Sequence, residues 1–350
     1  MQSGKSSITQ LFGAPVQYVI PVFQRGYVWT LTKQVGPLWA DIEDRAKKLR
    51  EHDAQAAQVG QQPLRPVQKH FLGSVVLTPV PGAFGRVPSF EVIDGQQMLA
   101  LPGFVNTHNH IAMTVFRSYA DDMQLMDWLQ KKIWPAEDKL DGDVVYAQTM
   151  LGIAEMIRCG TTSFADMYFF MEDTAEVVKE TGMRAVLSRG MAGVAPTAEI
   201  ALVENKELFK TWHGYDNDRI KVMLGPHAPY TCPDAYMAKV MDLSHEIGAQ
   251  IHIHLCETKT EVDGVLKETG KTPIAHFNDL GVFDTGCVAA HCVHLTDEDR
   301  AIMKEKNVRV AHNPQSNLKL ASGIADVPAM LKAGLTVGLG TDGSDRKSTR

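Results

Sequence analysis

From about residue 100 onward, short apolar runs rich in β-branched residues alternate with amphipathic stretches of helical period. The runs fall at 101–107, 161–166, 184–188, 220–226, 250–255, 287–291, 308–311 and 335–341. Most end abruptly in a polar residue, as buried strands do where they reach a functional face. Between them lie patterns such as DAYMAKVMDLSHEIG and DEDRAIMKEKN, with Asp234 and Asp297 near the predicted helix starts, where a carboxylate favours the helix dipole. Eight alternating βα units predict an α/β fold of the TIM (β/α)8 barrel type. Only GSDRKSTR follows Asp342, a short basic tail too polar for an amphipathic helix, so the expected barrel lacks its last helix.

Residues 1–98 read differently. VQYVI and HFLGSVVLTPV look like strands, QVGPLWADIEDRAKKLREH like an amphipathic helix, and residues 54–69 like a low-complexity mobile loop. A third strand, SFEVID, leads into GQQMLALPGF. The expected organisation is a small α+β segment over 1–98, the barrel over 99–343 and an unstructured tail over 344–350.

Composition narrows the partners. A content of 44% hydrophobic and 22% charged residues suits a soluble globular protein. The net charge of −6 argues against a polyanion-binding surface, so nucleic acid is not expected as a partner of the barrel. No apolar run approaches the roughly 20 residues of a membrane span, and MQSGKSSITQLFG lacks the apolar stretch of a signal peptide. Five cysteines without a CxxC pair fit reduced thiols and a cytoplasmic location. Homo-oligomerisation stays open.

The chemistry sits at the strand ends. His108 and His110 stand in PGFVNTHNH; residues i and i+2 of a strand share a face, so both imidazoles can reach one ion. A lone HxH is a weak signal and by itself reads as two loop histidines. Four later strand ends reverse that judgement: His254 and Glu257 in IHIHLCE, His291 in VAAHCVH, His312 in VRVAHNP and Asp342 in VGLGTDG. His254 is the expected third ligand and Asp342 the fourth. Three imidazoles and a carboxylate suit one Zn²⁺ per chain, and Fe²⁺ also fits. His252 shares the face of His254 and is expected to pack or orient. Glu257 reads as a proton shuttle, against the bland alternative of an exposed loop glutamate. His291 is placed to orient an attacking water or take its proton. His294 reads as a more distant or surface group, and His312 and Asn313 as pocket lining or packing. Asp166, Arg189 and His227 end strands at the same mouth.

Taken together, LPGFVNTHNH, GPHAPYTC, HIHLCET, AAHCVHL, HNPQSNLKLASG and GLGTDG occur in an order that resembles the amidohydrolase superfamily, in its deaminase and chlorohydrolase branch. The resemblance covers about residues 99–343. It implies metal ligation by His108, His110, His254 and Asp342, and ring protonation by Glu257. It implies a ribose site at Glu137, in IWPAEDKL, and His227, and a carboxylate-tail site at Arg189, in VLSRG. Some family members carry a second arginine shortly after that point, and MAGVAPTAEIALVENKELF has none. The implied activity is hydrolytic deamination of an adenosine derivative, 5′-methylthioadenosine or S-adenosylhomocysteine, to the inosine analogue and ammonia. Catalysis would fall to Glu257, His291 and Asp342. The alternative inside the superfamily is a triazine or guanine-type aminohydrolase or chlorohydrolase.

IPVFQRGYVWT, LWADI, HFLGSVVL and EVIDGQQ resemble a second family, the N-terminal part of DUF262 proteins, a ParB- or sulfiredoxin-like module of nucleotide-dependent restriction systems. Gln24, Arg25, Asp94, Gln96 and Gln97 match its site, but Met98-Leu99 follows DGQQ where that family has Arg-Leu. The expectation for this segment is an inert folded remnant, fused by nature or by a gene-model join near 93–99. A nucleotide-binding or restriction component, and an inactive fragment, are the remaining alternatives. The barrel is expected without the small β-sandwich that such deaminases build from both chain ends.

Overall fold

The computed structural model describes residues 102–120 and 123–343. The segment expected over 1–98, the tail over 344–350 and the expected lack of a final helix all lie outside the described residues.

The apolar runs form parallel strands: β1 Phe104–His110, β2 Thr161–Tyr168, β3 Arg184–Met191, β4 Ile220–Val222, β5 Gly225–Pro226, β6 Ile251–Leu255, β7 Cys287–His291, β8 Arg309–His312, β9 Val337–Leu339 and β10 Asp342–Gly343. One sheet runs β10-β1-β2-β3-β4, with β5 also on β3, and the other runs β6-β7-β8-β9. The two join at both seams. At one, the Leu224 amide donates to Gln250 (2.9 Å), the His252 amide to Leu224 (2.8 Å) and the His254 amide to His227 (3.0 Å). At the other, a single chain segment carries β9 on β8 and β10 on β1, with the Gly340 amide donating to His312 (2.9 Å) and the Thr341 amide to His108 (3.0 Å). The result is a closed eight-position parallel barrel, with helices between successive strands.

Several strands differ from their predicted extents: β2 and β3 run two and three residues further, to Tyr168 and Met191. β1 starts and ends three residues later, so His108 and His110 belong to the strand itself. The run 220–226 is interrupted at Met223 and Leu224. Pro226 has no amide to donate, and Gly225 passes so near β3 that a Cβ would lie 2.8 Å from the Arg189 carbonyl. The run 335–341 is shorter than predicted and is followed by Asp342–Gly343, where the chain transfers from β8 to β1.

β6, IHIHL, is buried at every position, as a strand covered on both faces must be. Apolar side chains pack between sheet and helices in two clusters. Val145, Ile153, Val178, Leu187 and Leu208 belong to the half carrying β1–β4. Met237, Val240, Ile251, Ile253 and Phe277 belong to the half carrying β6–β9. Each such side chain contributes roughly 1.5–3 kcal/mol when fully buried. Helix starts are capped locally: in Asp297–Glu305 the Asp299 amide donates to Thr296 Oγ1 (3.1 Å) and the Thr296 amide to Asp299 Oδ2 (2.9 Å). Among the described residues no helix is long and apolar enough to cross a membrane.

Closure of the barrel leaves no room at Gly340. A Cβ there would meet Asn313 Oδ1 at 2.2 Å and the His108 backbone at 2.8 and 3.0 Å. Gly340→Ala should therefore lower stability by about 1–3 kcal/mol, the range for overpacking, measured by denaturant unfolding. A variant as stable as the parent would show that the seam yields freely.

Candidate active site

The buried polar groups gather at the C-terminal ends of the strands, where the βα turns of a barrel meet. β1 brings His108 and His110, β6 brings His254, β7 brings His291 and β10 brings Asp342. Asp342 is the hub: its Oδ1 lies 3.3 Å from His108 Nε2 and 3.1 Å from His110 Nε2. His110 Nε2 lies 3.4 Å from His254 Nε2. His291 Nε2 stands further out, 3.9 Å from Asp342 Oδ2 and 3.7 Å from Glu257 Oε2. His108, His254, His291 and Asp342 offer ligand atoms that all lie within 4.8 Å of one another, and His110 adjoins that group through Asp342 and His254.

The donor set fits a divalent ion. Two donors about 2.0–2.1 Å from zinc at a tetrahedral angle are roughly 3.3 Å apart. The His108–Asp342, His110–Asp342 and His110–His254 separations, 3.1–3.4 Å, match that edge, and the contacts of His291 are longer. His108 Nε2, wholly buried, makes no hydrogen bond. The opposite ring nitrogens are anchored: His110 Nδ1 donates to the Met167 carbonyl, and His254 Nδ1 to the His227 carbonyl at 2.7 Å. His291 Nδ1 donates to Asn317 Oδ1 at 2.8 Å. Second partners of this kind fix how a metal-binding imidazole is aimed. Burial pushes the His108 imidazolium down to about 4 against the opposing pull of Asp342, and pushes His254 well down. At His110 burial also lowers, but the hydrogen bond and charge of Asp342 override it and raise the group to about 9.

Backbone geometry at the mouth is unusual. Cys256 (φ 53°), His291 (φ 72°), Cys292 (φ 51°) and Asp342 (φ 60°) all occupy the left-handed region, at a cost on the order of 1–3 kcal/mol each. The turn after β6 is clasped by Glu261, whose carboxyl oxygens accept from the Cys256 amide (2.7 Å) and the Glu257 amide (3.0 Å). This holds Glu257 at the site, buried rather than exposed, with Ser322 Oγ donating to its Oε1 at 3.1 Å. A buried carboxyl group and a buried imidazole, 3.7 Å apart beside the donor cluster, form a pair suited to moving protons.

The Amidohydrolase family pattern matches residues 99–349. This chain belongs to the amidohydrolase family. The amidohydrolase portion is 54% identical over 264 residues to a 5-methylthioadenosine/S-adenosylhomocysteine deaminase of Syntrophomonas wolfei, covering 74% of this chain and 61% of the relative. A protein of the same name from Dictyoglomus thermophilum is 53% identical over 259 residues, covering 73% and 61%. The chain thus spans about three-fifths of the length of these curated relatives. A solved structure of an adenosine deaminase from Xanthomonas campestris with bound zinc superposes with a TM-score of 0.66 at 36% identity, covering 70% of this chain and 56% of that one. Residues 8–100 match a different pattern, the N-terminal domain of the GmrSD restriction endonuclease. The two matches overlap at residues 99–100.

Around the amidohydrolase donor cluster, the expected substrate residues are arranged unevenly. His227 lies beside His254, ring centroids 4.9 Å apart, with its Nδ1 2.9 Å from Thr231 Oγ1. Glu137 ends the short helix Trp134–Glu137, reached through one π-helical turn at Leu129–Ile133. Burial raises its carboxyl to about 7, against a hydrogen bond from Tyr168. Arg189 is turned elsewhere: its Nε donates to Glu204 Oε2 at 2.7 Å and its guanidinium lies 5.4 Å from the Phe169 ring centre. Asp166 is wholly buried, its Oδ1 accepting from the Ile111 amide at 2.7 Å. Sequence reasoning passed over Tyr230, a phenol held well above its usual range by burial and by Glu257, Glu261 and Asp342. It also passed over Ser188, Asn317, Ser316 and Ser322, whose small polar side chains carry no signal until the barrel brings them to their partners.

Several buried groups hold protons that the unfolded chain would release. Burial raises Asp166 to about 7 and Glu261 to about 8, and Asp342 raises His110 to about 9 in spite of burial. A raised folded value gives stability that is complete below the unfolded value and lost as pH climbs through the folded one. His108 and His227, lowered to about 4, act oppositely, but only between about 4 and 6.5. Stability of the chelated protein should therefore fall steadily from pH 6.5 to 9, and Glu261→Gln should flatten the part below 8. Denaturant titrations across that window test this; a flat or rising profile would contradict it.

Proposed function

We propose that this chain is a metal-dependent hydrolytic deaminase of adenosine-type nucleosides, releasing ammonia and the inosine analogue. The observation that carries this reading is the buried Glu257–His291 pair beside the cluster of His108, His110, His254 and Asp342. The deaminases named above, about half identical to it, support the substrate class. We assign residues 1–98 to the restriction-type segment, 99–343 to the catalytic barrel and 344–350 to a tail. The enzyme is read as cytoplasmic, with five free cysteines.

His108, His110, His254 and Asp342 would hold the ion, zinc in our reading. When bound, such an ion lowers the pKa of a coordinated water from 15.7 towards about 7, making it nucleophilic at neutral pH. Glu257 gives its proton to the ring nitrogen beside the attacked carbon as the C–O bond forms. His291 and Asp342 take one proton of the attacking water and return it to the exocyclic amine; as the C–N bond breaks and ammonia leaves, the new hydroxyl gives its remaining proton back to Glu257 and becomes the carbonyl of the inosine analogue. Glu137, with Tyr168, and His227 bind the ribose. Arg189 would have to leave Glu204 to receive a carboxylate tail.

The purified chain should contain about one zinc per molecule, and His110→Ala should lose it in elemental analysis; full retention would remove His110 from the ligand set. Glu257→Gln should keep the metal and lose roughly 10²–10⁴-fold in turnover, the usual worth of general acid catalysis. Ammonia release near the parental rate would mean that another group protonates the ring. With Arg189 committed to Glu204, kcat/KM should be higher for 5′-methylthioadenosine than for S-adenosylhomocysteine. Glu204→Gln, which frees the guanidinium, should narrow that gap, and an unchanged ratio would take Arg189 out of tail binding.

A further inference from the structure

We propose that His252, held in turn by Ser188, is the positioning residue that fixes the ring tautomer of His108 and so aims its Nε2 lone pair at the metal. The proposal rests on the reading of His108 as a ligand.

The other three imidazoles of the cluster each set their Nδ1 against an oxygen that can only accept: the Met167 carbonyl for His110, the His227 carbonyl for His254 and the Asn317 amide oxygen for His291. In each the hydrogen must sit on Nδ1, so that Nε2 is the nitrogen left to face the cluster. His108 differs. Its Nδ1 lies 2.8 Å from His252 Nε2, a ring nitrogen able either to donate or to accept. The choice passes one step further, to Ser188 Oγ, 3.2 Å from His252 Nδ1. With the serine oxygen accepting, His252 carries its hydrogen on Nδ1, its Nε2 accepts from His108, and His108 joins the pattern of the other three. His108 Nε2 faces the cluster, 3.3 Å from Asp342 Oδ1.

Topology makes this relay. His252 and His254 are i and i+2 on β6 and share its inner face, one layer apart. Ser188 reaches the same layer from β3 and His108 from β1. Ser188, His252 and His108 are each 0% exposed, so bulk water offers His108 Nδ1 no replacement partner.

The test uses the full chain labelled with ¹⁵N-histidine, measuring ring tautomers by NMR before metal is added and then the zinc dissociation constant. The parent should show His108 and His252 both hydrogenated on Nδ1. His252→Leu should leave His108 with mixed tautomers and weaken zinc binding by about 10–100-fold, the usual cost of losing such a partner. His252→Gln, whose Oε1 can take the place of the ring nitrogen as acceptor, should recover most of that affinity; a purely space-filling role predicts no such rescue. Ser188→Ala should shift the His252 tautomer with a smaller loss. Parental zinc affinity and an unchanged His108 tautomer in His252→Leu would overturn the proposal, as would a glutamine variant no better than leucine. A parent with the expected tautomers but no zinc affinity would instead overturn the metal-site reading and leave the tautomer assignment standing.

Discussion

The position of Asp342 is the constraint on which the rest of this structure turns. It belongs to β10, the two-residue strand that pairs with β1 and closes the barrel. The register that sets Asn109 opposite Asp342 also brings Oδ1 within 3.3 Å of His108 and 3.1 Å of His110. Closure and site assembly are therefore one event. A one-residue slip at this seam would turn Asp342 to the other face of its strand and leave several buried imidazoles without their carboxylate. Gly340 permits the approach, because the chain there passes against the His108 backbone.

Burial decides what the histidines are. In water an imidazole exchanges a proton near neutrality; here desolvation keeps His108, His227, His252 and His254 uncharged. A neutral ring can serve as a metal ligand or a hydrogen-bond relay, whereas a charged one must first release its proton to bind a metal. His110 is the exception because it shares Asp342 with His108, and the carboxylate can hold one proton between them. The surrounding carboxyls follow the same logic: Glu261, raised by burial, turns both oxygens to backbone amides instead of to solvent and so fixes the turn that carries Glu257.

The barrel was legible because a parallel strand buried on both faces writes itself as a short apolar run, and a functional strand end as an abrupt histidine or aspartate. His108, His110, His254, His291 and Asp342 were found that way, and all five meet in space. Two kinds of information were not legible. One is the break between β4 and β5, where successive amides change partner, Met223 donating to Leu187 on β3 and Leu224 to Gln250 beside β6. The other is partnership across the fold. Nothing in VLSRG says that Arg189 will find Glu204 fifteen residues on, and nothing in HIHLC says that the first histidine will serve the HxH pair of β1. Propensity and period are local; hydrogen-bond partners 144 residues apart are properties of closure.

Every side chain invoked for chemistry, from His108 to Asp342, lies inside the amidohydrolase match, and none comes from residues 8–100, which match a restriction-enzyme domain. The site also spans the barrel's two sheets: Ser188, on β3, belongs to one and His252, on β6, to the other, yet they lie within 3.2 Å. Pairwise contacts of that kind cannot persist if either seam opens, since each imidazole is anchored through its Nδ1 to a group on a different strand or loop. Local unfolding at the β9–β10 segment would release Asp342 first, and with it the negative charge on which the imidazole cluster depends. An ion that binds only the closed arrangement opposes that opening by mass action. In the metal-dependent reading, affinity for the ion and integrity of the barrel seam are coupled quantities, and a change in one must appear in the other.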